Sequence, residues 1–126
     1  MARILIVDDE PAITGVLKVL VTGMGHEGVT CPGVAQAIQV LEQAPPVDLI
    51  LSDLRMNPES GFDLLKTVKH RWPAIPVILI TAFLSDENWR EAKRLGAFAG
   101  VRKPFQVEPL RAQITAALAG GPPVEA

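Results

Sequence analysis

The chain has 126 residues, a mass of 13.5 kDa and a net charge of −2, from 12 Lys and Arg against 14 Asp and Glu. This length suits one domain, and a composition of 48% hydrophobic and 21% charged residues excludes a disordered chain. The balanced charge speaks against a general nucleic-acid-binding protein, the single cysteine excludes an internal disulfide, and no apolar run approaches the ~18 residues that cross a bilayer. Because the N-terminus is too short for a signal peptide, we expect a single-domain cytoplasmic protein.

The charge is balanced in total but not along the chain. Residues 1–63 carry nine acidic and three basic side chains, whereas residues 64–126 carry five acidic and nine basic ones. Three of the acids, Asp8, Asp9 and Glu10, are consecutive. The asymmetry indicates an acidic site in the first half and a basic surface in the second.

In chain order, the first half alternates apolar runs with amphipathic stretches. Residues 3–7 (RILIV) form a continuous aliphatic run, which predicts a strand buried on both faces. Pro11 suits the first turn of a helix that ends at Gly23. A short strand at residues 28–31 follows, and then a helix from residue 34 that a Pro-Pro pair stops.

The second half repeats this alternation. Its strands are predicted at residues 48–52, 76–81 and 99–102, and its helices at residues 61–72, 86–95 and 107–119. Ser85 suits the N-cap of the second of these helices, and Gly96 suits its C-terminal cap. Residues 120–126 (GGPPVEA) have no core pattern. We therefore expect a domain over residues 1–119, followed by a flexible tail or the start of a linker.

Five strands alternating with five helices predict an α/β fold, in which helices cover both faces of a parallel sheet. The length and the right-handed crossover rule favour a flavodoxin-like doubly wound (βα)5 sheet with strand order 2-1-3-4-5. Such sheets bind ligands beyond the carboxyl ends of the strands, near the switch point between strands 1 and 3. We expect the chemistry of this protein at that edge.

Polar and charged residues end four of the predicted strands at this edge: Asp8 and Asp9, Asp53, Thr81, and Lys103. Two carboxylates ~4 Å apart repel by about 4 kcal/mol at an effective dielectric near 20, so three of them need a cation or bound protons. Oxygen ligands suit Mg²⁺, while an ammonium and a hydroxyl suit a phosphate group. Each residue alone could be structural, as a helix cap, a turn residue or a solvated lysine. Their joint position favours a functional site.

Five motifs carry a resemblance to a known family. They are ILIVDDEP at residues 4–11, LILSDLRM at 49–56, ITA at 80–82, GAF at 96–98 and KPF at 103–105. Together they resemble the response-regulator receiver domains of two-component signalling, over residues 3 to about 118. The resemblance implies a signalling domain that takes a phosphoryl group from a sensor histidine kinase or a phosphotransfer protein. It implies no enzyme activity beyond phosphorylation and dephosphorylation of the domain itself.

The resemblance also implies a role for each residue at the sheet edge. Asp53 would be the phosphoacceptor, and Lys103 and Thr81 would hold the phosphoryl oxygens. Mg²⁺ would have four ligand groups: Asp8, Asp9, Asp53 and the backbone carbonyl of Arg55. The Lys103-Pro104 peptide bond would be cis.

The same resemblance implies an output surface made of helix 4, strand 5 and helix 5. A homodimer partner or an effector domain would bind there, and neither nucleic acid nor a membrane would bind this domain directly. Five bases lie on or near this surface: Arg90, Lys93, Arg94, Arg102 and Arg111. The sequence leaves open whether Trp89 belongs to the core or to this surface. The motifs are also similar to those of receivers that precede transcription-activating ATPases, which points to transcription regulation.

The sequence departs from the family pattern in strand 5. Gly100 stands where the family usually carries Tyr or Phe, as a partner of the threonine. Phe98, two residues earlier, is expected to face the same side of the sheet, and Phe83 is expected to shield the acyl phosphate from water. The departure motivates a second hypothesis, a degenerate receiver that acts as a phosphate-independent interaction module. A third, a haloacid-dehalogenase-type phosphatase, conflicts with Glu10, where that class needs a second Asp.

Overall fold

Five strands and five helices alternate along the chain. The computed structural model describes residues 1–55, 60–82 and 84–124. The strands are β1 (Arg3–Val7), β2 (Glu27–Cys31), β3 (Leu49–Ser52), β4 (Val77–Thr81) and β5 (Ala99–Arg102). The helices are α1 (Pro11–Gly23), α2 (Val34–Leu41), α3 (Gly61–Arg71), α4 (Asp86–Arg94) and α5 (Val107–Leu118). Each of these elements lies where the sequence predicts one.

The five strands form one parallel sheet in the order β2-β1-β3-β4-β5. This order confirms the predicted flavodoxin-like topology. The pairing of Val7 with Ser52, and of Thr81 with Arg102, brings the carboxyl ends of the strands to one edge of the sheet. The residues that follow those ends therefore meet at the same rim, on either side of the switch point between β1 and β3.

The core consists of two apolar layers, one on each face of the sheet. Alternate strand residues such as Leu5 and Leu79 pack with α2, α3 and α4, while Ile6 and Ile80 pack with α1 and α5. All residues of β3 and β4 are buried, as the continuous apolar runs predict for central strands. The two layers hold the central strands rigidly beneath the rim.

Several predicted ends differ from the observed ones by one residue. Glu27 joins β2, since its backbone N–H donates to Ala2 and its carboxylate pairs with Arg3 at 3.1 Å. Asp48 stays outside β3, and its carboxylate accepts a hydrogen bond of 2.8 Å from the backbone N–H of Arg3. These polar contacts lie at the amino ends of the strands, opposite the rim.

Two helices that follow the rim have side-chain caps. Ser60 caps α3 in a capping box, in which the Ser60 hydroxyl accepts from the Asp63 backbone and the Asp63 carboxylate accepts from the Ser60 backbone. Ser85 caps α4, as predicted, by accepting a hydrogen bond of 3.0 Å from the backbone N–H of Asn88. Both caps fix the point at which a helix leaves the rim.

The structure corrects one expectation about the aromatic residues. Phe98 packs against the layer that contains α1 and α5, whereas Gly100 faces Trp89 of α4. The strand alternation that suggested a shared face does not apply, because Phe98 precedes the first residue of β5. Phe83 lies outside the described residues. The Lys103-Pro104 bond is cis, as the resemblance implies.

After α5 the chain turns back along that helix. Gly121 donates a backbone hydrogen bond to Ala116, and the side-chain amide of Gln113 exchanges two hydrogen bonds, of 2.7 and 3.0 Å, with the backbone of Val124. Among the described residues, no helix combines the length and the apolar character that a membrane span requires.

Candidate functional site

The sheet ladder positions the backbone of the rim residues. The backbone N–H of Asp53 donates to the carbonyl of Val7, at 2.9 Å, and the backbone N–H of Lys103 donates to the carbonyl of Thr81, at 3.0 Å. Each residue is thus tied to the strand next to its own. The side chains that leave this ladder converge because parallel strands end at the same edge.

The Lys103 ammonium joins the carboxylates at the rim. Its Nζ lies 2.7 Å from Oδ2 of Asp8, 3.2 Å from Oδ2 of Asp53 and 3.7 Å from Oε1 of Glu10. Lys103 follows Asp53 by 50 positions in the sequence and follows Asp8 by 95. The structure therefore brings together the lysine and two of the acids that the sequence predicts as a site.

The site has a buried inner part and an exposed outer part. Asp8 and Asp53 are only 4% and 6% exposed, and Thr81 is fully buried. Asp9 and Glu10 are exposed. A ligand from solvent thus passes the exposed Asp9 and Glu10 before it reaches the buried carboxylates of Asp8 and Asp53.

Each buried carboxylate divides its two oxygens between the lysine and the backbone. Oδ1 of Asp53 accepts a hydrogen bond of 2.7 Å from the N–H of Leu54, and Oδ1 of Asp8 accepts one of 3.0 Å from the N–H of Glu10. The Oδ2 atom of each faces Lys103. These bonds fix the side-chain rotamers, so that the oxygens are oriented before any ligand binds.

The pKa values of Asp8 and Lys103 reflect their burial and the charges around them. Burial raises the pKa of Asp8, and the neighbouring charge of Asp53 adds to this, although the hydrogen bonds from Lys103 and Glu10 oppose it. Burial alone would lower the pKa of Lys103, but the hydrogen bond to Asp8 and the charges of Asp53 and Asp8 outweigh it and raise that pKa. The pocket thus favours a bound cation in addition to the lysine.

The donor set fits a hard divalent cation. One carboxylate oxygen from each of four residues, Asp8, Asp9, Glu10 and Asp53, lies within 4.8 Å of the others. Mg²⁺ prefers a small number of carboxylates together with water and phosphate oxygens. The carbonyl of Arg55 as a further ligand stays a prediction. Glu10 joins the cluster although the sequence analysis did not assign it a role; its place at the end of the acidic run was the available signal.

Gly61 is a second residue that the sequence analysis missed at the site. A Cβ on Gly61 would overlap the carbonyl oxygen of Asp53 and come within 2.9 Å of the Leu54 Cα. The N–H of Gly61 donates to the carbonyl of Leu54 at 2.7 Å. The missing side chain lets the start of α3 pack directly on the backbone of Asp53.

The sequence also matches the model of a known family. The sequence matches the model of the response regulator receiver domain over residues 4–115, which is most of the chain. The chain belongs to this family. The match identifies a receiver domain of two-component response regulators, and it gives no support to the phosphatase hypothesis.

Curated relatives agree with this assignment. The receiver domain is 35% identical over 116 residues to the response regulator protein PilR of Pseudomonas aeruginosa, and 38% identical over 117 residues to the transcriptional regulatory protein ZraR of Escherichia coli. Each alignment covers 92% of this chain but 26% of the relative. The chain therefore spans about a quarter of the length of these relatives.

Solved structures confirm the fold. A response regulator receiver domain protein from Clostridium thermocellum superposes with a TM-score of 0.89 at 30% identity, over 95% of this chain and 96% of that one. The chemotaxis response regulator CheY4 of Vibrio cholerae gives a TM-score of 0.86 at 29% identity, over 94% of this chain and 99% of that one. The receiver domain thus has the flavodoxin-like fold that its sequence predicts.

Proposed function

We propose that this receiver domain accepts a phosphoryl group on the Asp53 carboxylate from a sensor histidine kinase or a phosphotransfer protein. The observation that carries the proposal is the buried Asp53 carboxylate paired with Lys103 at 3.2 Å, beside a second buried carboxylate, Asp8. A carboxylate nucleophile, a cation and a set of hard oxygen ligands are the parts that phosphoryl transfer requires.

In the proposed reaction, a carboxylate oxygen of Asp53 attacks the phosphorus of a phosphohistidine. An O–P bond forms, the P–N bond breaks, and the electron pair of that bond stays on the imidazole, which takes a proton from solvent. The product is an acyl phosphate on Asp53. Attack by water later releases inorganic phosphate and returns the carboxylate, so the domain phosphorylates and dephosphorylates only itself.

The other residues at the rim stabilise the negative charge of the phosphoryl group during this transfer. Lys103 holds one phosphoryl oxygen, and the Thr81 hydroxyl donates to another. The ligands of Mg²⁺ are four groups: Asp8, Asp9, Asp53 and the backbone carbonyl of Arg55. When bound, Mg²⁺ supplies neutralisation of the charge that the phosphoryl group brings beside the carboxylates.

The output surface of the proposal consists of α4, β5 and α5. A groove of about 880 Å³ lies there, and its lining includes Trp89, Lys93 and Gln113. The exposed bases Arg90 and Lys93 make part of this surface cationic. A homodimer partner or an effector domain binds this surface, whereas nucleic acid and membranes do not bind the domain directly. The domain acts in the cytoplasm, comprises residues 1–119, and continues into a tail or linker.

The test is phosphorylation by acetyl phosphate and Mg²⁺, followed by intact mass measurement. The wild type gains the mass of one phosphoryl group, and Asp53→Ala does not. Asp86→Ala, which removes an exposed carboxylate from α4, is the matched control and gains the mass as the wild type does.

Two outcomes would contradict the proposal. A gain that survives Asp53→Ala moves the nucleophile to another residue. No gain in the wild type, with the protein folded, would favour the phosphate-independent interaction module that Gly100 motivates. No contact among the described residues favours that module at present, because the buried acids and the lysine are all in place.

A further inference from the structure

Residues 121–124, which we call the strap, run back along α5 after the helix ends. Gly120 has a φ of 74°, in the left-handed region that glycine adopts without strain. The N–H of Gly121 then donates to the carbonyl of Ala116 at 3.1 Å. The chain therefore reverses its direction just after the helix instead of leaving the domain.

Every backbone N–H of the strap donates to α5. Pro122 and Pro123 have no N–H, which leaves those of Gly121 and Val124. The Gly121 N–H bonds to the helix backbone, and the Val124 N–H donates to Oε1 of Gln113 at 3.0 Å. Nε2 of Gln113 donates in turn to the Val124 carbonyl at 2.7 Å. This exchange of an N–H and a C=O resembles the pairing of two residues in antiparallel strands, so Gln113 holds the backbone of the strap at two points.

The composition of this region makes these hydrogen bonds the main attachment of the strap. Residues 112–124 contain no acidic or basic side chain, so ion pairs between side chains of the strap and α5 do not contribute. The side chain of Val124 is 44% exposed, so its burial contributes little. Two neutral hydrogen bonds favour the attached position by only about tenfold, although the stiff Pro-Pro pair lowers the entropy cost of attachment. An attachment of this strength is readily reversible.

The strap forms one wall of the groove on the output surface. All four strap residues line this groove, together with Trp89 and Lys93 of α4 and Gly100 of β5. Trp89 also packs against the core layer of α2, α3 and α4, so it belongs to both the core and the surface. The position of the strap therefore determines how open the groove is on its α5 side.

We propose that Gln113 is the latch of the strap, and that the latched strap restricts access to the groove between α4 and α5. The occupant of the α5 side of the groove is thus a segment of the chain itself. When the two hydrogen bonds to Gln113 break, the strap moves away about the glycine pair before it and the groove opens. This regulation concerns the output surface and so rests on the proposed function.

The first test measures access to the groove in the full chain. Trp72→Phe leaves Trp89 as the single tryptophan, and acrylamide quenching reports its accessibility. In this background Gln113→Ala removes both hydrogen bonds of the latch, and Val124→Pro removes one because proline has no N–H. We expect a larger quenching constant in both variants. Val124→Ala is the matched control, since it keeps the backbone groups and should quench as the Trp72→Phe parent does.

The second test measures the latch itself by NMR. The Val124 N–H should exchange with solvent about tenfold faster in Gln113→Ala than in the wild type. Thr115→Ala, which changes an exposed side chain of the same helix, should leave that exchange rate unchanged. The side-chain amide signals of Gln113 should shift in Val124→Pro and stay in place in Val124→Ala, because only the proline removes the N–H that Gln113 accepts.

Neither test uses phosphorylation or a partner, so its failure is distinct from a failure of the proposed function. Unchanged exchange of the Val124 N–H in Gln113→Ala overturns the latch. Faster exchange with unchanged quenching of Trp89 overturns the restriction of the groove. Stronger quenching in Val124→Ala, equal to that in Val124→Pro, also overturns the proposal, because the side chain would then hold the strap. In each case the mass gain at Asp53 still decides the proposed function.

Discussion

At the scale of single residues, Cys31 shows how burial alone sets chemistry. It ends β2, is 7% exposed, and its backbone carbonyl accepts a hydrogen bond from the N–H of Asp8. Desolvation by burial raises the pKa of its thiol from 9.0 to about 11, against a smaller opposing effect of a hydrogen bond from the Gly33 backbone. The thiol is thus a small apolar group of the core and a poor nucleophile at neutral pH.

The raised pKa predicts a loss of stability in alkali. The neutral thiol stabilises the fold fully below pH 9.0, where it is protonated in both states, and this contribution is lost as the pH rises through about 11. The free energy of unfolding should therefore fall by up to about 3 kcal/mol across this window. Denaturant titrations of wild type and Cys31→Ala from pH 7 to 11 measure the difference. Identical pH slopes in the two proteins would contradict the prediction.

The place of Glu10 in the acidic cluster could not be predicted from the sequence. The predicted acids Asp8 and Asp53 were assigned because they directly follow strands, and the structure brings both to Lys103. Glu10 lies two positions after Asp8, at the N-cap of α1, and it reaches the cluster only because the chain turns there. A side chain's direction at a turn depends on tertiary structure, which periodicity does not encode.

At the scale of elements, the start of α3 is fixed by its close approach to the backbone of Asp53. Gly61→Ala would drive a methyl group into the carbonyl of Asp53, and backbone atoms cannot move away cheaply. We expect the free energy of unfolding to fall by about 2–3 kcal/mol. The matched control is Gly15→Ala on α1, where nothing lies within 4 Å and helix propensity should stabilise by ~0.5–1 kcal/mol. Urea denaturation distinguishes them, and equal effects in the two variants would sink the prediction.

Strands and helices were predictable for a physical reason, and the contacts between them were not. Runs such as residues 3–7 have one environment on both faces, so their apolar composition predicts buried strands regardless of the neighbours. The close approach of Trp89 to Gly100 depends instead on α4, a helix from another part of the chain. A glycine in a strand has many possible reasons, and only the packed structure distinguishes them.

At the scale of the whole molecule, the charge asymmetry of the sequence becomes two surfaces. The acids of the first half include the cluster at the carboxyl end of the sheet, and bases of the second half lie on α4 and α5. Two of those bases are already paired, Arg94 with Glu91 at 2.6 Å and Arg111 with Glu108 at 3.4 Å. Such exposed ion pairs contribute little to stability. Acidic groups of a binding partner can therefore replace Glu91 and Glu108 at little cost.

The acidic cluster predicts that a bound metal ion would stabilise the whole domain. A ligand that binds only the folded state stabilises it by RT ln(1 + [L]/Kd), which is about 2.7 kcal/mol when its concentration is 100 times Kd. For a domain of this size, that corresponds to a rise in Tm of roughly 10 °C. Bound Mg²⁺ would also offset the cost of burying the charged Asp8, whose pKa is raised by burial and, to a smaller extent, by the charge of Asp53. We therefore expect Mg²⁺ to raise the Tm at constant ionic strength.

The site of this effect is tested with two acidic residues. Asp9→Asn removes a carboxylate of the cluster and should abolish most of the Mg²⁺-dependent rise in Tm. Glu42→Gln removes a carboxylate that pairs with Arg71 at 2.8 Å, and it should keep the rise. Thermal unfolding monitored by circular dichroism, with NaCl matched to the ionic strength of MgCl₂, measures both. An equal rise in Tm in all three proteins would contradict the prediction. The ion would then act through general screening, because an effect of bound Mg²⁺ must depend on the ligands that hold it.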